Sequence, residues 1–318
     1  MIDKLIRKIL DKKSCVLVGL DTRLEYVPAC IVDRYCKGNI TFEGASKAIL
    51  EFNKRIIDMV YEYVPAVKVQ IAYYEMYGPA GIEAFRNTCQ YAKNKGLIVI
   101  GDVKRNDIGS TAEAYADAYL GRTGLINTKE AAFDLDFITV NPYLGIDGIA
   151  PFIDACIKYD KGIFILVKTS NSSSAQLQDL QVKDKKLYEI VAQYVDKWGK
   201  KLKGQNGYSS IGAVVGATHP EDARHLRNII PNAYFLVPGY GAQGGTARHI
   251  TGCFNPDGLG AVVNASRSII CAYKNPLWKD KFSSSEFDKA ALAEVIRMKN
   301  DINEAILKSK EVDLCPEI

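Results

Sequence analysis

Eight short apolar runs rich in β-branched residues, amphipathic helical patterns between most of them, and charges and glycines gathered just after the runs predict an α/β chain folded as a TIM (β/α)8 barrel. The runs cover residues 15–20, 66–71, 97–101, 137–140, 163–167, 211–215, 234–237 and 261–263. Near-continuous apolar strands suit a parallel sheet whose outer face is covered by helices, and eight such units are the number that closes a barrel. A doubly wound open sheet competes, but its dinucleotide fingerprint GxGxxG would follow the first strand, where Gly19-Leu20-Asp21-Thr22-Arg23 stands instead.

Residues 1–13 open the chain with Ile2, Leu5, Ile6, Ile9 and Leu10 at helical spacing, which predicts a short surface helix. Asp3 and Asp11 argue against a mitochondrial presequence. Among the later helices, Ala45, Ala48, Ile49, Phe52, Ile56, Met59 and Val60 keep i, i+3, i+4 spacing, as do Leu187, Ile190, Val191, Tyr194, Val195 and Trp198. Both stripes are expected to face the core. The polar segments 120–133 and 172–186 read as insertions or mobile loops. No Pro/Gly/Ser-rich linker divides the 318 residues, so one barrel domain over 1–318 is expected.

Charge and composition exclude several function classes. A net +4, from 41 basic and 37 acidic residues with no Lys/Arg run interleaved with aromatics, gives no reason to expect a nucleic-acid partner. No apolar run approaches the roughly 18 residues of a membrane span. The eight cysteines (15, 30, 36, 89, 156, 253, 271, 315) form no CxxC pair and no metal-type spacing with histidine, and no secretory leader is expected. They read as reduced thiols of a cytoplasmic protein without a metal site. His219, His225 and His249 have no Ser/Asp or metal-like partner by spacing and take surface or capping roles.

Chemistry in such a barrel gathers at the C-terminal ends of the strands. The first run ends at Asp21, the second carries Lys68 and Gln70, and after the third comes Gly101-Asp102-Val103-Lys104-Arg105-Asn106-Asp107-Ile108-Gly109-Ser110-Thr111. Asp102 and Lys104, two apart in a strand, point to one face; Asp107 and Thr111, four apart, share a face of the helix that follows. A charged segment after a strand is commonly a solvated loop, and a lysine between valines commonly snorkels to solvent. Together in a barrel mouth they form alternating acids and bases, and a pair about 4 Å apart is worth about 4 kcal/mol at an effective dielectric of 20. After the fifth run, Lys168-Thr169-Ser170-Asn171 supplies hydroxyls and an amide that either read a heterocycle edge or make an ordinary capping turn. After the seventh and eighth, Pro238-Gly239-Tyr240-Gly241-Ala242-Gln243-Gly244-Gly245-Thr246 and Asn264-Ala265-Ser266-Arg267 sit where these barrels bind phosphate, with glycine N–H groups, a helix N-terminus and Arg267 as the expected anion grip.

These segments, with Val140-Asn141-Pro142-Tyr143-Leu144-Gly145, make the chain resemble the orotidine 5′-phosphate decarboxylase family over nearly its whole length, in its longer bacterial subgroup. Shorter members show Val-Gly-Arg after the eighth strand, where this chain has Val263-Asn264-Ala265-Ser266-Arg267. The resemblance implies conversion of orotidine 5′-phosphate to UMP, the last step of de novo pyrimidine nucleotide synthesis, with no cofactor. It implies that Lys104 stabilises and protonates a C6 carbanion, that Asp102 lies beside the scissile carboxylate, and that Lys68 and Asp107 complete the charge network. Asp21 corresponds to a ribose-hydroxyl ligand, Thr169 and Ser170 to pyrimidine-edge contacts, and Gln243 with Arg267 to the phosphate grip. Gln70 and Pro238, from the same strand ends, join the substrate-binding set. Residues matching Asp107 and Thr111 reach the site from a second subunit, so a homodimer with shared sites is implied.

Two rivals are weighed. Sugar-phosphate decarboxylases or aldolases with the same Asp-x-Lys-x-x-Asp motif use magnesium, which wants a carboxylate on the second strand, and Lys68 stands there. A non-catalytic UMP-binding protein would gain nothing from packing two lysines against two aspartates. A fusion with orotate phosphoribosyltransferase is not expected, since no second domain is present.

Overall fold

The structure, a computed structural model, describes residues 1–241 and 244–314. Eight parallel strands close into a barrel: β1 (Val16–Gly19), β2 (Ala66–Gln70), β3 (Ile98–Arg105), β4 (Phe137–Val140), β5 (Gly162–Lys168), β6 (Ser209–Val215), β7 (Ala233–Val237) and β8 (Ala261–Ala265). Each pairs with the next, and β8 returns to β1 in the register Val16 to Val263. All residues of β1, β4, β6, β7 and β8 are buried, as strands covered on both faces must be. The eight predicted runs are these eight strands.

Helices α1 (Ile2–Lys12), α2 (Phe42–Val60), α3 (Gly78–Asn94), α4 (Gly109–Tyr119), α5 (Ile146–Tyr159), α6 (Leu187–Gly199), α7 (Pro220–Ile229) and α8 (Phe287–Leu314) surround the barrel. One-turn helices, Ala247–Ile250 and Arg267–Ile270, follow β7 and β8. The ring is closed where α8 meets α2, with Phe287 stacked on Phe52 at 4.6 Å between centroids. No described helix is long and apolar enough to cross a membrane.

Three expectations are revised. α1 is more than a surface helix: Ile2, Leu5, Ile6 and Ile9 are buried, and Asp3 accepts from the backbone N–H groups of Gln205 and Asn206 ahead of β6. It therefore covers the N-terminal end of the barrel. The stripe at 45–60 is buried apart from a partly exposed Met59; in α6 the predicted stripe holds in part, with Val195 buried and Val191 and Trp198 packed against the core, but the inward face is rotated to bury Tyr188, Ala192 and Gly199 as well. Tyr194 is exposed and stacks on Trp198 5.3 Å away, one turn on, so its apolar area is sheltered by a neighbour that itself packs against the core. The two insertions carry ordered elements: antiparallel pairs Thr123–Gly124 with Lys129–Glu130 and Gln181–Val182 with Lys185–Lys186, the latter preceded by the helical turn Ala175–Gln178.

Strand β3 runs further than its apolar stretch, out to Arg105, and its pairing with β4 shifts register between Gly101 and Arg105. Lys104 occupies the shift with φ +46°, a left-handed conformation that costs a non-glycine residue about 1–3 kcal/mol and concentrates at functional sites.

Candidate active site

The strand ends open into a cavity of about 680 Å³, in the range of a nucleotide-sized ligand pocket. Asp21, Lys68, Gln70, Asp102 and Lys104 line one side, Thr169 and Ser170 another, and Pro238 and Arg267 a third, so the barrel brings together residues far apart in sequence.

Asp102 is the hub. Its Oδ2 accepts from Lys68 Nζ at 2.8 Å and Gln70 Nε2 at 2.9 Å; its Oδ1 accepts from Lys104 Nζ at 2.5 Å and Thr139 Oγ1 at 2.9 Å. Lys68 Nζ also reaches Asp21 Oδ1 at 3.3 Å, giving the run Asp21, Lys68, Asp102, Lys104. The strained residue is held by the same network, since the Lys104 N–H donates to Thr139 Oγ1 at 3.0 Å. Burial alone would raise the Asp102 carboxyl, but the charges of Lys68 and Lys104 and their hydrogen bonds outweigh it and hold the group far below the usual carboxylate range. Burial alone would lower Lys68, and Asp102 with Asp21 likewise reverse it, keeping the ammonium above its ordinary range. The side chain of Lys68 is 4% exposed, and losing one partner of such a buried pair costs about 3–5 kcal/mol. Lys104, by contrast, is 46% exposed, its ammonium open to a ligand.

Lys68 also bears on metal binding. Its ammonium bridges Asp21 and Asp102, so the two carboxylates a divalent cation would need here are already neutralised by a group that cannot ligate. Among the described residues no group of three or more His, Cys, Asp or Glu side chains has metal-binding geometry.

Arg267, just after β8 and so beside β1, is exposed, and its side chain makes no hydrogen bond or ion pair among the described residues, leaving the guanidinium for an anion. The glycine loop plays a different part from the one expected. Gly239, Gly241 and Gly244 have φ of +95°, +74° and +89°, and the N–H groups of Gly241, Gly244 and Gly245 bond within the loop, to Gly245, Gly241 and Gly239 carbonyls. These glycines turn the chain, and those three N–H groups are spent on the turn. Gln243 lies outside the described residues.

Asp107 and Thr111 are not brought to this cavity. Asp107 precedes α4 and accepts from the Ile108 N–H, and Thr111 is exposed on the first turn of α4. The histidines stay outside it too: His225 pairs with Glu189 and His249 Nδ1 accepts from the Thr246 N–H, as surface and capping residues do, whereas His219, ahead of α7, makes no side-chain cap bond and has its Nε2 buried without a hydrogen-bond partner among the described residues.

Sequence reading missed three contributors. Thr139 was hidden in an apolar run, though a lone threonine in Phe137-Ile138-Thr139-Val140 signals an inward polar group. Lys168, fully buried, pairs with Asp179 and reaches Asp222 Oδ2 at 3.5 Å. Gln178 binds Thr169 from within the 172–186 segment. Such contacts, made by a polar insertion folding back, leave no periodic trace.

Comparison with known proteins agrees with this geometry. A profile described as "Orotidine 5'-phosphate decarboxylase / HUMPS family" matches residues 17–277. The chain is 46% identical over 305 residues to the orotidine 5′-phosphate decarboxylase of Caldicellulosiruptor bescii, covering 96% of this chain and 98% of that one. It is 42% identical to that of Clostridium perfringens, with 96% and 99% covered. The solved OMP decarboxylase of Leishmania donovani superposes with a TM-score of 0.68 at 29% identity, covering 94% of this chain and 98% of that one. A barrel of this topology, a profile match over most of the chain and near-full-length relatives agree: the chain belongs to the orotidine 5′-phosphate decarboxylase / HUMPS family.

Proposed function

We propose that this protein decarboxylates orotidine 5′-phosphate to UMP, the closing step of de novo pyrimidine nucleotide synthesis, without a cofactor. The observation that carries the reading is Lys68 held between Asp21 and Asp102, with Lys104 on the far side of Asp102 and open to the cavity. The magnesium-dependent sugar-phosphate alternative wants free carboxylates where an ammonium stands. Turnover of orotidine 5′-phosphate by the purified protein is the test, and turnover of a keto sugar phosphate that depends on magnesium would replace this reading with the other.

In the proposed reaction the C6–carboxylate bond breaks, the electron pair stays on C6, CO2 leaves, and a proton from Lys104 Nζ takes its place. Lys104 stabilises the developing charge before it donates, which is preorganised electrostatics followed by general-acid catalysis. Asp102 holds Lys104 through their ion pair and presents negative charge toward the substrate carboxylate. Arg267 takes the phosphate, with Gln243 and Pro238 beside it; Asp21 takes ribose hydroxyls; Thr169 and Ser170 meet the pyrimidine edge. Gln70 orients Asp102 from the second strand.

The reading extends to a homodimer with shared sites. Ile108, Tyr143, Leu144 and Ile146 are exposed on the neighbouring strand-end loops next to Asp107 and Thr111, an apolar rim that a second copy would cover. Asp107 would then complete the network of the other subunit. Mixing inactive Lys104→Ala with inactive Asp107→Ala protein is expected to restore activity, because one site of each mixed dimer keeps both residues. A mixture that stays inactive after subunit exchange would contradict the shared site. The described cysteines are all free thiols, which suits the proposed cytoplasmic setting.

A further inference from the structure

The four charges Asp21, Lys68, Asp102 and Lys104 are not held in the same way. Lys68 lies within β2, and Asp102 and Lys104 within β3, where the sheet sets the backbone. Asp21 lies beyond the last residue of β1, Gly19, and the next regular element is a 3₁₀ turn at Leu24–Tyr26. Its place must be set by something other than the sheet.

A buried polar network does this by tying down the residue on each side of it. The Leu20 N–H donates to the Lys68 carbonyl at 2.7 Å, and the Leu20 carbonyl accepts from the Tyr74 hydroxyl at 3.2 Å. The Thr22 hydroxyl donates to Asn53 Oδ1 at 2.7 Å. Asn53 Nδ2 donates to Tyr74 Oη at 2.8 Å and to Thr88 Oγ1 at 3.3 Å, so both ties meet at one amide. Tyr77, one turn after Tyr74, accepts from the Leu24 N–H at 3.3 Å and holds the same loop further along.

Thr22, Asn53, Tyr74 and Thr88 are fully buried. Asn53 shares the buried face of α2 with Ile49, Phe52 and Ile56, and Tyr74 packs edge-on against Phe85 of α3 at 5.5 Å. Apolar side chains of the same shape would close this interface at little cost in stability. What the satisfied polar network adds is a defined geometry, and its ends lie on the two neighbours of Asp21. Neither Thr22, Asn53 nor Tyr74 lines the cavity, so an effect on a ligand has to pass through Asp21, which does.

We infer that Asn53 and Tyr74 are positioning residues that hold the Asp21 carboxylate in register with Lys68 and with the ribose hydroxyls of the nucleotide. The inference rests on the proposed ribose-binding role of Asp21. A carboxylate allowed to shift by about 1 Å loses hydrogen bonds to a ligand while the barrel around it stays folded.

The test measures calorimetric affinities for UMP and its 2′,3′-dideoxy counterpart in wild type, Tyr74→Phe, Thr22→Val, Asp21→Ala and the two double variants with Asp21→Ala. Tyr74→Phe cuts the tie to Leu20 and Thr22→Val the tie to Asn53, each by removing one hydroxyl. In both, the preference for UMP over the dideoxy nucleotide is expected to fall about tenfold, with melting lowered but still cooperative. The preference should fall in Asp21→Ala as well. Adding either substitution to Asp21→Ala should change it by less than about twofold, since a residue that acts through Asp21 has nothing left to act on. An unchanged preference in both folded variants, or an equal fall with and without Asp21, overturns the positioning role, because a merely structural loss moves the two affinities together. Wild type that shows the preference but does not turn over orotidine 5′-phosphate would overturn the decarboxylase reading and leave the variants to decide the network. Wild type without the preference removes the ribose role of Asp21 and this inference with it.

Discussion

Lys104→Ala is expected to lower kcat by at least about four orders of magnitude while UMP affinity changes by less than about tenfold. The size follows from losing two contributions at once: a positioned proton donor is worth about 10²–10⁴, and a preorganised charge facing the developing anion about 10²–10³. Binding survives because the proposed phosphate and pyrimidine contacts, Arg267 and Thr169 with Ser170, lie on other strand ends of the cavity. The fold survives because Asp102 keeps Lys68, Gln70 and Thr139, and alanine removes a half-exposed side chain at a strained position. Pre-steady-state turnover and calorimetric UMP titration of the same preparation separate the two effects. A variant that keeps even a tenth of wild-type kcat would remove Lys104 from the chemistry.

Arg267→Ala is expected to lower kcat/KM for orotidine 5′-phosphate by about 10²–10⁴, since two charge-assisted hydrogen bonds to a phosphate contribute about 1.5–3 kcal/mol each. Phosphate binding remote from C6 can be spent on orienting the ring and closing the site, so part of the loss should fall on kcat. Stability should move by no more than about 0.5 kcal/mol, because the side chain is exposed and has no partner among the described residues to lose. Orotidine lacking the phosphate is the control, and Arg267→Ala should leave its slow turnover unchanged. An equal loss with orotidine would mean that Arg267 supports the fold of the site instead of gripping phosphate.

The strands were legible because burial on both faces writes itself as continuous apolar runs, and the charges of Asp21, Lys68, Asp102 and Lys104 stood out against that background. Spacing alone could not say that these charges meet; the closed barrel does that by bringing β1, β2 and β3 side by side. What escaped the sequence was set by long-range folding. The left-handed Lys104 depends on a register shift against β4, and the Gln178–Thr169 hydrogen bonds on a polar segment that turns back on its own strand. The glycine loop was misread in its detail, because composition shows that N–H groups can be exposed but not whether the turn consumes them. In α6, Tyr194 counted as a core residue when it lies exposed, stacked on a Trp198 that does pack against the core.

The most direct test of cofactor-free, lysine-assisted decarboxylation is a single measurement on wild-type protein treated with EDTA and given orotidine 5′-phosphate in D2O. CO2 and UMP should appear in equal amounts, the UMP carrying one deuterium at C6, at the rate seen without chelator. No UMP, or UMP only after magnesium is restored, would contradict the account.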